Sequence, residues 1–284
     1  MTKLIHVSRE LEKKIGVVRA FIPTMGALHQ GHLDLVDEAR ALVGDNGEVV
    51  VSIFVNPTQF EHSTDVSQYP RTLESDFAQC EARGVDIVFA PTVEEMYPEG
   101  MGTEEHVSVQ PGPLGSVLEG ADRPGHFSGV LTIVAKLLNL VQPEFTTFGE
   151  KDYQQLALIS QMVQQLNFPV KVVGVQTRRE SDGLAMSSRN AFLSPEQRIH
   201  AVSISRALYA AQGIEGNIDV KLSAARAVLS GEIETSYLVA MTNDLSSELD
   251  GTDDVHEGRL LFAGLLGSTR LIDNMPIVNV NSSE

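Results

Sequence analysis

Four short runs of β-branched and aromatic residues limit the fold of this chain more than any other feature. They are "GVVRAFIP" (16–23), "EVVVSIFVN" (48–56), "GVDIVFAP" (84–91) and "FPVKVVGVQ" (168–176). Each is apolar almost throughout, with no alternation of apolar and polar positions, so each reads as a strand buried on both faces. Such strands belong to a parallel sheet covered by helices on both sides, and the segments between them carry helical patterns. Residues 32–43 place Leu33, Val36 and Ala39 at helical spacing, with Asp34, Asp37 and Glu38 ahead of Arg40, an order that complements the helix dipole. Leu73, Phe77 and Cys80 mark a second helix, with Thr72 at its N-cap. Residues 130–141 give a third helix, and Tyr153, Leu156, Ile159, Val163 and Leu166 a fourth, after the weak strand "FTTFG" (145–149). This alternation predicts an α/β fold with a doubly wound, Rossmann-like parallel sheet, whose ligand crevice lies at the carboxyl ends of the strands. "PTMG", "NPTQF", "FGEKD" and "VQTRRESDG" each follow a predicted strand, which places all four on the rim of that crevice.

The pattern changes after about Gln176. Ser194-Pro195-Glu196 opens a helix that runs through Ala211, and residues 221–229 form another. "SYLVAM", "RLLFAGLL" and "TRLIDNMPIV" read as strands, and "DLSSELDGTDDVHEGR" as an acidic loop. The expected division is a larger domain over 1–177 and a smaller α+β domain over 178–284.

At 284 residues the chain is long enough for two such domains. Its net charge of −17 argues against nonspecific nucleic-acid binding, and it means that an anionic ligand must be met by a local positive site. A single cysteine, Cys80, rules out internal disulfides and fits a reducing cytoplasm. The start "MTKLIHVSRELEKK" lacks the apolar core of a signal peptide, and no apolar run approaches the ~20 residues of a membrane span.

Chemistry concentrates in "PTMGALHQGHLDLV" (23–36). Gly26 and Gly31 have the spacing of a phosphate-binding P-loop, but His32 and Leu33 stand where that loop needs Lys and then Ser or Thr. The glycines let backbone approach an anion closely, and a helix beginning near His32 is expected to offer free N–H groups and its positive dipole end. His29 and His32, three apart, face one side of a turn and can donate hydrogen bonds to phosphoryl oxygens. Two surface or core histidines are the bland alternative, which the glycine pair and the strand–turn–helix setting outweigh. Zinc needs a third ligand, and only the distant His126 offers one. No G-x-G-x-x-G dinucleotide motif is present.

His29-x-Gly31-His32 resembles the HIGH signature of the nucleotidylyltransferase and class I aminoacyl-tRNA synthetase superfamily. Met186-Ser187-Ser188-Arg189, within "GLAMSSRN" (183–190), resembles its companion KMSKS loop. With "VNPTQF", "YPRT", "RPGHFSGV", "FGEKDYQQL" and "LIDN", the chain is similar over nearly its whole length to the pantothenate synthetase (pantoate–β-alanine ligase) family. The resemblance implies ATP-dependent joining of (R)-pantoate to β-alanine through a pantoyl adenylate, with release of pyrophosphate and AMP. It also implies that magnesium rides on the ATP phosphates rather than in a protein cage, and that no organic cofactor is tightly bound. A cytoplasmic homodimer is implied, with no nucleic-acid or membrane partner, and with the second domain serving as a lid that carries the KMSKS-like loop at its start.

Roles carry over by motif position. Met25, Gly26, Ala27, Leu28, His29, Gln30, Gly31 and His32 form the first ATP segment, with His32 the leading catalytic candidate and His29 beside it. Gly149, Glu150, Lys151 and Asp152 form the second. There Lys151 neutralises α-phosphate charge, and Asp152 holds a ribose hydroxyl or orients the site. Met186, Ser187, Ser188 and Arg189 close over the β and γ phosphates, and Arg178 meets ATP through its backbone. Gln59 and Gln155 hold pantoate, Phe54 and Asn56 wall its pocket, and Arg123 with His126 orders a loop over the site. Tyr153 reads as core. Gln176 stands where the family pattern has proline, and His62 where it commonly has asparagine. Another adenylyl-transferring enzyme of the same fold, or a nucleotide sensor, is the alternative. The paired glutamines favour a small hydroxy acid over a mononucleotide acceptor.

Overall fold

A computed structural model describes residues 1–60, 72–100, 107–251 and 257–278. His62, the first three residues of "YPRT" and the "TDDVH" centre of the acidic segment lie outside the described residues. The chain divides into two compact units, Met1–Gly149 with Gln155–Gln176, and Glu150–Gln154 with Thr177–Glu284.

The first unit is built on six parallel strands: β1 (Lys3–Ile5), β2 (Arg19–Thr24), β3 (Glu48–Ile53), β4 (Ile87–Phe89), β5 (Phe145–Gly149) and β6 (Lys171–Val175). Their order in the sheet is β1-β4-β3-β2-β5-β6. The longer helices between them are α1 (Gln30–Val43), α2 (Leu73–Ala82), α3 (His126–Val141) and α4 (Tyr153–Gln165). Alternate residues of one strand enter different cores, which accounts for the unbroken apolar runs. Ala20 and Ile22 of β2 pack with Leu35, Val36 and Ala39 of α1 and with Cys80 of α2. Phe21, between them, packs with the α3 residues Val130, Val134 and Leu138 on the other face. β3 repeats the division, with Val49 and Val51 in one core and Val50 in the other. Burial pushes the Cys80 thiol up to about 12, with a smaller push from the charge of Asp76, so the chain's one cysteine stays a protonated core residue.

The structure corrects two strand expectations. The apolar run of β6 predicts burial on both faces, yet its residues are exposed or half-buried, because it is an edge strand with one side uncovered. β1 lies within the amphipathic start, where the sequence pattern predicts no strand. It has three residues, of which only Ile5 is buried, and it is recruited to the other edge by parallel pairing with β4.

The order of strands reverses at β2, with β3 and β4 to one side and β5 and β6 to the other. In an open parallel sheet such a switch point opens a crevice at the strand C-termini, and the residues after β2 begin "MGALH".

The second unit contains α5 (Pro195–Gly213), α6 (Ile218–Val228) and an antiparallel sheet of β7 (Glu234–Met241), β8 (Glu257–Leu266) and β9 (Thr269–Val278). Ser194 and Gln197 cap α5 reciprocally, with Pro195 in its first turn. Ile204, Leu208 and Ala211 of α5 and Leu222 of α6 pack on Leu238, Leu260, Phe262 and Met275 of the sheet. The arrangement is α+β.

Candidate active site

After β2 the backbone turns through two left-handed residues, Gly26 at φ 87° and Ala27 at φ 52°. Alanine pays roughly 1–2 kcal/mol for that conformation, so something must hold it. The holder is Asp76 of α2, only 1% exposed. It accepts the Ala27 N–H at 2.9 Å on one carboxylate oxygen and the Leu28 N–H at 2.9 Å on the other. A Cβ on Gly26 would meet Asp76 Oδ2 at 3.0 Å and Ile53 at 3.1 Å, so only glycine fits without a shift. Thr72 occupies the N-cap position of α2 but makes no capping bond; its hydroxyl donates to Asp76 at 3.0 Å.

α1 then begins with a histidine at its N-cap. The Gly31 N–H donates to His29 Nδ1 at 3.1 Å, and the His29 N–H donates to His32 Nδ1 at 3.2 Å. The His32 and Leu33 N–H groups go to the His29 carbonyl, at 2.8 and 3.2 Å. The expectation of free N–H groups is therefore corrected at Gly31, His32 and Leu33. His29 satisfies these three through its ring and its carbonyl, and the anion bonded to the glycine turn is the protein's own Asp76. Because an N–H can only donate, both Nδ1 atoms are acceptors, which leaves each neutral ring with its proton on Nε2. The rings lie 4.1 Å apart at 36°. Both histidines, with Met25, Ala27, Gln30 and Gly31, are half-buried, while Gly26 and Leu28 are buried.

The loop after β3 carries the expected acid-binding residues. Phe54 is buried, with its ring centroid 6.4 Å from that of Tyr97. Asn56, 1% exposed, has its amide committed: Oδ1 accepts from the Tyr97 hydroxyl at 2.9 Å and the Thr58 hydroxyl at 3.1 Å, and Nδ2 donates to the Gly129 carbonyl at 3.2 Å. Asn56 thus shapes the turn that presents Gln59. Gly129 belongs to the same join, since a Cβ there would stand 2.3 Å from the Thr58 carbonyl oxygen. The Gln59 carbonyl accepts from His126 Nδ1 at 3.0 Å, and His126 Nε2 accepts from Arg123 at 3.2 Å. That relay fastens the backbone of Gln59. The Gln59 and Gln155 side chains are half-buried.

The remaining candidates lie on the second unit, except Gly149, which ends β5. Glu150–Asp152 form a single 3-10 turn. Asn274 of β9 donates to the Glu150 carbonyl at 2.8 Å and to the Lys151 carbonyl at 2.9 Å. Arg259 of β8 bonds Asn274 and Glu150, the latter at 3.0 Å, and its guanidinium lies 3.7 Å from the Tyr153 ring centroid. Tyr153, expected in the core, is half-buried and donates its hydroxyl to the Asn243 carbonyl at 2.8 Å; its ring serves as a shelf for Arg259.

Lys151 lines a cleft with Ser187, Arg189, Asn190 and Asp273. This brings the second ATP segment together with part of the MSSR segment. Met186 and Ser187 are half-buried, Ser188 and Arg189 exposed, and Ser187 caps the following turn by accepting the Arg189 N–H at 3.3 Å. Arg178 is expected to meet ATP through its backbone; its carbonyl accepts the Met186 N–H at 2.8 Å, closing a short hairpin. Arg179 pins that hairpin to Asp273 through two bonds of 2.7 and 3.1 Å. Asp152 is exposed, with its carboxylate 3.8 Å from Lys151 Nζ. Among the described residues, no three His, Cys, Asp or Glu converge as a metal site, and no helix is long and apolar enough to cross a membrane.

Asp76, Arg179, Arg259, Asp273 and Asn274 are given no role by the sequence. Arg179 falls within the rim segment "VQTRRESDG", and Asp273 and Asn274 within the motif "LIDN", two adjacent polar residues inside a strand pattern.

Residues 1–276 match the family model described as pantoate-beta-alanine ligase. A relative from a Nocardioides species, named pantothenate synthetase, is 50% identical, with 97% of this chain and 85% of that one aligned. The crystal structure of pantothenate synthetase from Thermus thermophilus matches with a TM-score of 0.88 at 46% identity, covering 98% of this chain and 100% of that one. The Francisella tularensis pantoate-beta-alanine ligase, complexed with beta-gamma ATP and beta-alanine, matches with a TM-score of 0.78 at 32% identity, covering 97% of each. Judged by the family model and these relatives, the chain belongs to the pantoate–β-alanine ligase family.

Proposed function

We propose that the chain joins pantoate to β-alanine in pantothenate biosynthesis, consuming ATP and releasing pyrophosphate and AMP. In the first step a pantoate carboxylate oxygen attacks the α-phosphorus. The O–P bond forms as the bond to the β-phosphate oxygen breaks, and pyrophosphate leaves. In the second step the amine of β-alanine attacks the acyl carbon, loses a proton and expels AMP.

The single observation that carries this reading is the reciprocal histidine cap of α1. Two neutral imidazoles, each with its proton on Nε2, are fixed side by side at a helix start. Such donors stabilise charge that gathers on the α-phosphate and on departing pyrophosphate without the ground-state grip of two lysines. His32 takes the leading part and His29 supports it. Lys151 supplies the full positive charge, and Asn274 and Arg259 set the turn that carries it. Met25 to His32, Gly149 to Asp152, Arg178 and Met186 to Arg189 engage the nucleotide, which enters as its magnesium complex. Gln59 and Gln155 hold pantoate by its hydroxyls and carboxylate. Phe54 backs that pocket, and Asn56 acts through the turn of Gln59.

Cytoplasmic residence and assembly as a homodimer belong to the same reading. The single cysteine supports the first and family membership the second.

Exchange of labelled pyrophosphate into ATP tests the first step alone. It is expected to require pantoate and to proceed without β-alanine. Exchange that occurs without pantoate, or that needs β-alanine, contradicts a free-standing adenylation step.

A further inference from the structure

We propose that Asp76 is a positioning residue for adenylation, holding the Gly26–Leu28 turn from behind and so setting the histidine pair that follows; this rests on the function proposed above. Consecutive backbone N–H groups that converge in a turn make a nest suited to an anion. Here the nest of Ala27 and Leu28 is filled by the Asp76 carboxylate, 1% exposed. Among the described residues its bonded partners are two backbone N–H groups and the Thr72 hydroxyl, none of them a cation. A buried carboxylate without a cation is costly to keep unless its position matters.

What it fixes is the residue next to the chemistry. Leu28 directly precedes His29, the N-cap of α1. Asp76 grips the Leu28 N–H, and Gln79, one turn further along α2, reaches the Leu28 carbonyl at 3.5 Å. From Leu28 the order passes to His29, whose ring holds Gly31 and whose N–H is held by His32. The nest is therefore unavailable to phosphate. Asp76 serves ATP only through the placement of the two imidazoles.

The test uses the full chain with Asp76→Asn, Gly26→Ala and the double variant, assayed for steady-state dependence on each substrate. Asparagine is isosteric but turns an N–H donor toward one of the two backbone N–H groups. kcat/KM for ATP is expected to fall by about tenfold to a hundredfold, as for a misplacement of ~1 Å near the reacting atoms. KM for pantoate should stay within about twofold, because the turn of Gln59 has its own supports. The Gly26 methyl pushes on the same carboxylate, so the double variant should fall no more than about twofold below the worse single one. Should Asp76→Asn fail to fold, Thr72→Val, which removes only the hydroxyl donor, should still lower kcat/KM for ATP by about threefold with KM for pantoate unchanged.

An unchanged kcat/KM for ATP, a KM for pantoate raised well beyond twofold, or fully multiplicative losses in the double variant would overturn the assignment. A wild-type chain that makes no adenylate would instead defeat the functional reading.

Discussion

His32→Ala is expected to slow pantoyl adenylate formation by about a hundredfold to a thousandfold, the usual loss when one donor to a developing oxyanion is removed. The same change also breaks a helix cap. His32 Nδ1 accepts the His29 N–H, and deleting that acceptor costs about 1 kcal/mol of stability. The two effects can be separated. His32→Asn keeps a short side chain that can accept at the third helical position but lacks the imidazole Nε2–H. It should recover most of the lost stability and little of the lost rate. Pyrophosphate release in a single turnover, read beside thermal unfolding, measures both. A wild-type single-turnover rate in His32→Ala would remove His32 from the chemistry. Recovery of rate in parallel with stability in His32→Asn would reduce the histidine to a cap.

The largest effect on stability is expected at Arg19. Its side chain is wholly buried, and all three guanidinium nitrogens are engaged. Nε donates to Glu48 at 2.7 Å, and the other two nitrogens reach the Val141 and Glu12 carbonyls at 2.8 and 2.9 Å. One residue thus ties the starts of β2 and β3 to the end of α3. Arg19→Met leaves the Glu48 carboxylate buried without its cation, which costs about 3–5 kcal/mol. Arg19→Met with Glu48→Leu should recover much of that, since an apolar pair of similar volume is often no worse than a buried ion pair. Cys80 lies in the core of the same unit and is the chain's one thiol, so its labelling in urea reports unfolding there. The labelling midpoint should drop markedly in the single variant and return in the double. A midpoint unmoved by Arg19→Met would show that the pair carries no net stabilisation.

The parallel sheet is legible in the sequence because its interior strands are apolar on both faces, and nothing but a doubly covered sheet buries Val49, Val50 and Val51 together. β1 is not legible, since three residues with one buried side chain make no pattern. The histidine pair can be found from spacing and family motif, yet its tautomer cannot. The rings satisfy the helix start that the spacing alone assigns to phosphate. Asp76 is hidden for a different reason. An acid in the first turn of a helix is what the dipole favours anyway, so nothing in "LESDF" sets Asp76 apart from Glu74. Asn274 is visible as a polar residue in a strand. Its partners, the carbonyls of Glu150 and Lys151, are backbone groups far away in sequence, and backbone acceptors leave no mark on composition.

The most direct test of the central claim mixes the protein with ATP, magnesium and pantoate, with and without β-alanine, and follows AMP. AMP is predicted to accumulate only when β-alanine is present, one for each β-alanine consumed. AMP release at the same rate without β-alanine would contradict the ligase.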